Sequence, residues 1–486
     1  MDADVVVVGA GPTGLLLAGD LAEAGVTVTV LERRTEESNV TRAFAVHART
    51  MEELDIRGVA GELARTGTPI RELNLFDRVR IDLSTLPGDF ASLLITPQYQ
   101  TERVLQQRAD ALGVRIVRGA EVTGLTQDGS GDGGVDVTVC TAQGPVATYR
   151  ASYVIGADGV NSAVRRALGL PFPGRSVIKS IMLADVRLSE PPADVLAVNA
   201  VGDAFAFVAP FGDGWYRIFA WNRRHQVDDK APVDLEEIRE VTRRALGTDF
   251  GMRDPRWLSR FHSDERQVPR YRVGRVFLAG DAAHCHSPAG GQGMNTGMQD
   301  AANLGWKLAA AVHGWGGESL LDSYHQERYP VGRQVLRSSG AILRLALIRP
   351  ELGRKARNII GQLLMGIPPV AAAVAGTISG IGIRYPAPPG ADRRVGTRMP
   401  NIPVTGGRLH DALRGGRFVL VGSRARTVDL PAQVDAAVPV RPTGELLLVR
   451  PDGYLAWVGT AAEFPAWANR YFSGSSRPVE HPSTTE

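Results

Sequence analysis

The stretch Arg275–Ala311, RVFLAGDAAHCHSPAGGQGMNTGMQDAANLGWKLAAA, decides how the rest of the chain is read. Its apolar run Val276–Ala279 stops abruptly at Gly280-Asp281, the way a buried parallel strand delivers a carboxylate to the carboxyl edge of a sheet. Asp281 is thereby placed to bind a ligand. Gly290, Gly291 and Gly293 then form a loop whose backbone can approach a flat molecule and offer N–H groups to it. From Asn295 onward Met298, Ala302, Leu304, Leu308 and Ala309 recur with helical spacing. The order is strand, acidic turn, glycine loop, helix.

The N-terminus repeats this logic. The strand Asp4–Val8 runs into Gly9-Ala-Gly11-Pro12-Thr13-Gly14, a helix covers Leu15–Glu23, and a second strand, Val26–Leu31, ends at Glu32. In that context the glycines have separate tasks: Gly9 for the turn, Gly11 for approach to a pyrophosphate, Gly14 for close packing of the helix, with Glu32 placed to accept from a ribose. This unit leaves FAD and NAD as alternatives. A third strand, turn and helix follows at Tyr153–Arg165, where Asp158-Gly159 turns, Asn161-Ser162 can cap, and Arg165 reaches back toward the turn.

Composition narrows the function. A chain of 486 residues calls for two or three domains, and a net charge of +3 with dispersed arginines gives no support to nucleic-acid binding. Two cysteines, Cys140 and Cys285, argue against a disulfide framework and fit a reducing cytoplasm. Residues 358–383 carry no charge, yet Pro368-Pro369 interrupts them, so a buried helix, a break and a short second helix are expected in place of a membrane span. His284-Cys285-His286 could bind zinc by residue type, but neighbours on an extended segment point in alternating directions, so no metal site is expected.

Between Phe172 and Arg270 the segments Ile181–Leu188, Ala204–Pro210 and Trp215–Asn222 alternate like strands without intervening helices, which predicts a separate antiparallel sheet with one helix, Asp234–Leu246. Phe205, Phe207, Phe211, Trp215, Tyr216, Phe219 and Trp221 crowd it, and some of them are expected to line an aromatic pocket. Arg42 and Arg49 precede or enter a helix, as phosphate contacts or as a solvated face. A long helix spans Ser319–Leu347, and Pro386–Pro400 reads as a linker. Beyond it come strands Phe418–Val421, Val438–Val440 and Leu446–Val449 and helices Leu409–Leu413 and Phe464–Tyr471, then a Ser/Pro-rich tail.

Together the GxGxxG with Glu32, the Asp158-Gly159 motif and GDAAHCHSPAGGQGMNTGMQDAANLGWKLA resemble the class A flavoprotein aromatic hydroxylases of the p-hydroxybenzoate hydroxylase type, nearest to the actinomycete hydroxylases of aromatic polyketides and the rifampicin monooxygenases. The resemblance implies an α/β fold in three parts: a Rossmann-like FAD-binding domain (1–171 and 271–390), an inserted antiparallel-sheet substrate domain (172–270) and a thioredoxin-like C-terminal domain (395–475), with a flexible tail (476–486). It implies FAD held by Gly9, Gly11, Pro12, Thr13, Gly14, Glu32, Arg33, Arg42, Gln98, Asp158, Gly159, Arg165, Gly280, Asp281, Pro288, Gly291, Gly293, Met294 and Asn295. Asp281 would take the ribityl chain and Asp158 and Arg165 would also serve NADPH. Pro288 and Arg42 are the implied catalytic residues, one holding the flavin edge against the substrate, the other steadying the flavin as it moves.

The implied reaction uses NADPH or NADH and molecular oxygen to hydroxylate an aromatic polyketide-type small molecule through a flavin C4a-hydroperoxide. Rifamycin inactivation, Baeyer–Villiger insertion or a non-oxygenating flavin oxidoreductase are the alternatives; the WxWxIP signature of flavin halogenases is missing. No side-chain base is expected, Tyr216 and His225 being the candidates for one. The C-terminal domain has no cysteine and hence no CxxC redox chemistry. No nucleic-acid or membrane partner is expected, and a homodimer is left open.

Overall fold

A computed structural model describes residues 2–36, 43–75, 79–128, 133–141, 144–287, 290–348 and 350–472. The two Val-rich N-terminal strands, Ala3–Val8 and Val28–Glu32, are almost wholly buried, as expected of strands covered on both faces. They lie inside an eight-stranded sheet whose parallel core runs Val276–Leu278, Gly144–Gly156, Ala3–Val8, Val28–Glu32, Arg115–Arg118. The hairpin Ala120–Gln127 and Val135–Thr141 extends it. The helix Pro12–Glu23 crosses from the first strand and packs on Gln292–Val312 and Gln98–Ala111. Gln292–Val312 starts three residues before the apolar spacing begins at Asn295, and it is buried on nearly all sides.

The second sheet has six antiparallel strands in the order Ala197–Val201, Ala204–Pro210, Tyr216–Asn222, Gly174–Leu188, Met252–Gln267, His284–Cys285. Two of these, Ala197–Val201 and Met252–Gln267, are not signalled by hydrophobic alternation. The alternation that is present decides which residues go where. On one face Ala184, Val186, Ala206, Val208 and Ile218 pack against Ile238 and Val241 of the helix Leu235–Leu246. On the other, Phe205 and Phe207 stand opposite Trp221 and Phe219 across the strand pair and turn away from that helix. Two small sheets, Ala45–Val46 with Leu93–Ile95 and Thr68–Ile70, and Glu72–Leu75 with Val79–Asp82, also lie outside the sequence expectation.

The signature stretch joins both large sheets. Val276–Leu278 ends in the first, and six residues later His284–Cys285 pairs with Arg266 and Gln267 of the second. Asp300, on the following helix, holds this joint. Its buried carboxylate accepts from the Gly280 N–H (3.0 Å), from His284 Nε2 (2.7 Å) and from Arg328 Nε (2.6 Å). Arg328 belongs to the long helix Glu318–Ala346 and donates also to the Thr296 carbonyl and the Tyr385 hydroxyl. Burial alone would raise the Asp300 carboxyl, but Arg328 and His284 hold it below its ordinary value.

The C-terminal unit is a four-stranded sheet, Val434–Ala437, Phe418–Val421, Leu446–Val449, Leu455–Gly459, with the helix Phe464–Phe472 against it. The strand beside Phe418–Val421 is Val434–Ala437 and not Val438–Val440, a range that contains Pro439, which has no N–H to donate to a ladder. Buried ion pairs clasp the unit to the rest: Arg49 donates to the Asp452 carbonyl (2.5 Å) as well as to Glu52 and Glu53, and Arg450 bonds Glu327, which also takes Lys307. Arg49 is fully buried, so it is neither a solvated face nor a phosphate contact. Nor is Pro386–Pro400 a free linker, since Gly396 bonds both Tyr385 and Leu455 and Arg398 reaches Glu52 at 3.1 Å.

The uncharged segment covers the second half of the helix Glu351–Met365 and all of the helix Pro368–Ser379, with a 102° bend between the two. The first, expected to be buried, has no buried residue. Among the described residues no single helix is long and apolar enough to cross a membrane, although this bent pair meets the length and composition of a broken span.

Replacing Asp300 by asparagine leaves the Arg328 guanidinium buried without its counter-charge. We expect a loss of roughly 3–5 kcal/mol of stability, the usual cost of removing one partner of a buried pair, read by urea unfolding; a loss below about 1 kcal/mol would show that the carboxylate does not hold the joint.

Candidate functional site

The first glycine motif has a steric reason at two of its three glycines. Gly9 sits at φ +105°, and a Cβ there would lie 2.5 Å from the Ala157 carbonyl oxygen; one at Gly14 would lie 2.0 Å from the Gly9 oxygen. A Cβ at Gly11 would meet nothing within 4 Å, because Gly11 faces open space. That space is a cleft of about 680 Å3 walled by both large sheets. From the first come Gly11, Pro12, Thr13, Gln98, Gly159 and Arg165; from the signature stretch come Asp281, Cys285, His286, Gly291, Gly293 and Met294.

Behind the cleft, Glu32 accepts from the Ala10 N–H (2.7 Å) and from Arg34 through its backbone N–H (2.9 Å) and Nε (3.0 Å). Burial works to raise this carboxyl, and those bonds hold it below its ordinary value. Arg34 therefore takes the ion pair, while Arg33 is exposed and does not line the cleft. Asp158 Oδ2 accepts from the N–H groups of Ala163 (2.6 Å) and Val164 (3.2 Å), and its Oδ1 is buried with no partner. Ser162 caps the same short helix, and Arg165 reaches back to the Val160 (2.7 Å) and Ala282 (3.0 Å) carbonyls with its guanidinium over Phe172. Gln98 accepts from the Ala43 N–H at 3.2 Å. Pro288 and Arg42 lie outside the described residues.

Gly280 (φ +60°), Gly290 (φ +89°) and Gly291 (φ +63°) occupy the left-handed region, which fixes the path of the loop into the helix Gln292–Val312. Asn295 spends its whole side chain on that path: Oδ1 accepts from the His47 N–H (2.8 Å), and Nδ2 donates to the Ala45 (3.0 Å) and Gly291 (2.9 Å) carbonyls. It shapes the loop and does not line the cleft. His284, Cys285 and His286 diverge: His284 goes to Asp300, His286 Nδ1 donates to the Ser287 carbonyl (2.9 Å), and its Nε2 has no partner. Among the described residues no three His, Cys, Asp or Glu side chains are grouped to hold a metal. Burial, with Asp281 and Asp264 nearby, pushes the Cys285 thiol up to about 12.

A second cavity of about 470 Å3 lies beside the first, largely apolar, with Ile181, Phe205, Phe207, Trp221, Leu343 and Ile378 in its wall and Arg71, Glu72 and Asp194 at its exposed rim. Phe44, Phe219, Ser287 and Gly291 border both cavities, and the Phe44 ring packs at a tilt against Phe207 with their centroids 5.0 Å apart. Of the aromatic residues singled out from sequence, Phe205, Phe207, Phe219 and Trp221 reach this chamber. Phe211 and Trp215 instead carry the guanidiniums of Arg217, Arg256 and Arg187, and Tyr216 packs with the helix-side core. Tyr216 and His225 line neither cavity. Phe44 and His47 carry no local signal in the sequence; only their distant partners reveal them.

A glycine-turn cleft with unpartnered polar atoms, opening on an aromatic chamber, is the site of a dinucleotide-dependent enzyme for apolar molecules. Residues 2–339 match the FAD binding domain and residues 392–473 the aromatic-ring hydroxylase C-terminal domain. The chain is 38% identical to a rifampicin monooxygenase of Streptomyces venezuelae, over 96% of this chain and 98% of that one. It is 34% identical to a dialkyldecalin synthase of Streptomyces rugosporus, over 94% and 96%. The solved structure of the anhydrotetracycline hydroxylase OxyS from Streptomyces rimosus superposes with a TM-score of 0.85 at 36% identity, covering 98% of this chain and all of that one. The chain belongs to the FAD-dependent aromatic-ring hydroxylases, and it is an FAD-dependent aromatic monooxygenase.

His47 bridges the loop and the cavity roof. It is fully buried, its Nδ1 donates to the Ile378 carbonyl (2.5 Å), and burial, with His286 nearby, pushes its pKa down from 6.5 to about 4. The unfolded chain therefore binds this proton more readily than the folded one. The stability contributed by neutral His47 is complete above about pH 6.5 and is lost as pH falls toward 4, up to about 3 kcal/mol. His47→Gln removes the titration, so between pH 7.5 and pH 5 the unfolding free energy of the parent should fall relative to the variant by about 2 kcal/mol; a difference constant with pH would contradict the assignment.

Proposed function

We propose that this enzyme hydroxylates an aromatic polyketide-type substrate held in the 470 Å3 chamber, using FAD in the adjoining cleft, NADPH or NADH as reductant and molecular oxygen. The observation that carries the reading is the shared border of the two cavities at Phe44, Phe219, Ser287 and Gly291, which brings an aromatic-walled chamber against the glycine loop.

The residues present fit the cofactor. Open space over Gly11 would admit a pyrophosphate, Glu32, behind the cleft wall, is the residue we assign to a ribose, and the exposed Asp281 carboxylate, in the cleft lining with His286 Nε2 close to Gly293, is the one we assign to a ribityl chain. The N–H groups of Gly291 to Met294 would meet the flavin ring, on a loop that Asn295 holds in shape. When bound, the flavin supplies the redox chemistry and the activation of oxygen. The protein binds, orients and excludes water: Phe207, Phe219 and Trp221 offer flat apolar walls, and among the described residues no ionisable side chain lines the chamber away from its rim. Oxygen transfer would thus rest on placement. Arg165 stacked on Phe172, with Arg266 in the same cleft, is the cationic wall we assign to the passing NADPH. We also assign the C-terminal unit a thioredoxin-like fold, reduced to a structural part because it holds no cysteine.

The discriminating measurement is flavin reduction by NADPH with and without aromatic polyketides and rifamycins. Acceleration by one of them, with one oxygen atom found in the product, is expected; product formed without NADPH consumption would contradict the proposal. Asp281→Ala should weaken FAD retention at least about tenfold, the loss of one or two charge-assisted hydrogen bonds, measured by fluorescence of released flavin, and unchanged retention would remove Asp281 from the site. Tyr216→Phe and His225→Ala should keep coupled hydroxylation.

A further inference from the structure

Polar atoms are unevenly distributed around the 470 Å3 chamber. Its middle is walled by Ile178, Ile181, Phe205, Phe207 and Trp221, all on strands paired within the antiparallel sheet. The Trp221 indole brings the one polar side-chain group into that wall among the described residues, and its Nε1 already donates to the Lys179 carbonyl (2.9 Å). An oxygen or nitrogen on the middle of a bound ring system would therefore lose its water and gain no side-chain partner.

The two ends are different. Toward the cleft the chamber closes on Ser287, Gly290 and Gly291, where the flavin site begins. Away from the cleft, at the exposed rim, stand Arg71, Glu72, Asn74 and Asp194, none of which borders the cleft. Glu72 is paired with Arg80 at 3.5 Å. Arg71 and Asp194 make no ion pair and no side-chain hydrogen bond among the described residues.

Both are carried on backbone that is held in place. The Arg71 carbonyl accepts from the Leu83 N–H (2.7 Å), and Leu73, two residues on, packs into the apolar wall. Asp194 leads into Val195 and Leu196, which line the chamber, and then into the strand Ala197–Val201, which lies against the strand Glu72–Leu75. One unpaired donor and one unpaired acceptor thus belong to the same mouth.

We propose that the chamber takes a flat ring system in one orientation, with an oxygen-free long edge in the middle and an oxygen-bearing end at the rim, and that Arg71 selects it by donating to a carbonyl or phenolate oxygen on that outer end. The inference rests on the assignment of the chamber to the substrate and adds which part of the substrate points outward. Asp194 accepts from a hydroxyl or amide N–H on the same end. A ring acid whose carboxylate would fall in the middle is rejected, because among the described residues no cation lines the chamber there.

The test uses 2-anthrol carrying one further group, either a carboxamide or an isopropyl group of nearly the same shape, placed either at the far end of the long axis or on the central ring. Dissociation constants of these four probes from the FAD-loaded enzyme are read from the fluorescence anisotropy of the anthrol. At the far end the carboxamide should bind at least about tenfold tighter than the isopropyl group, and on the central ring at least about tenfold weaker, each the effect of one hydrogen bond made or left unmade. Arg71→Met, at an exposed position, should keep the circular dichroism and flavin content of the parent and reduce the far-end preference to within about twofold, leaving the central-ring order unchanged. A general loss of structure would weaken all four probes together. A carboxamide tolerated equally at both positions, or a far-end preference that survives Arg71→Met, would overturn the proposal. Failure of all four probes to bind would remove the chamber from the substrate site, and this proposal with it.

Discussion

The carboxylate of Asp300 is the constraint on which the arrangement depends. Removed from water, it needs more than one donor, and it finds three on three parts of the chain: the Gly280 amide at the end of a strand of the first sheet, the His284 ring at the start of a strand of the second, and Arg328 on the longest helix. The two sheets are thereby held at a fixed separation, and the cleft is what lies between them. Arg328 carries the link onward through Tyr385, whose ring lies 4.2 Å from that of Tyr454 in the C-terminal unit. One buried charge thus reaches every layer.

Features set by neighbours in sequence could be read from sequence. Gly9 and Gly14 of the first motif and the cap at Ser162 follow from local sterics and turn chemistry, and the period of two in Ala204–Pro210 and Tyr216–Asn222 pointed to an antiparallel sheet without saying which of its aromatic side chains meet the pocket. What could not be read was set by partners far away. Arg49 with Glu52 and Glu53 looks like a solvated helix face until Asp452 arrives to bury it. Asn295 looks like a ligand to the cofactor, but its amide is consumed by Ala45, His47 and Gly291. The strand Met252–Gln267 is too charged to announce itself, and it exists because Gly174–Leu188 pairs along most of its length. The helix Glu351–Met365 misled in the other direction, for a run without charges implies burial but does not say against what.

The site inherits its character from the meeting of two sheet types. The parallel sheet contributes strand ends and helix starts, where backbone amides and carboxylates are free for a polar ligand. The antiparallel sheet contributes a face of large flat side chains, with its other face spent on the helix Leu235–Leu246. Phe44 and Phe219 stand where these surfaces touch, each counted in both cavities, so a change in either side chain alters the polar cleft and the apolar chamber together.

The clasp between the C-terminal unit and the rest has a consequence for how the chain is made. Glu327 and Lys307 leave the ribosome 123 and 143 residues ahead of Arg450 respectively, and Arg49 is 403 residues ahead of Asp452. Every motif that marks the nucleotide cleft is therefore synthesised while the charges beneath it still lack their last partners. The first domain to emerge is the last to become dry, and its interior is completed from the far end of the polypeptide. A chain stopped short of residue 450 would keep every glycine of the signature and leave Glu327 without Arg450 and Arg49 without the Asp452 carbonyl.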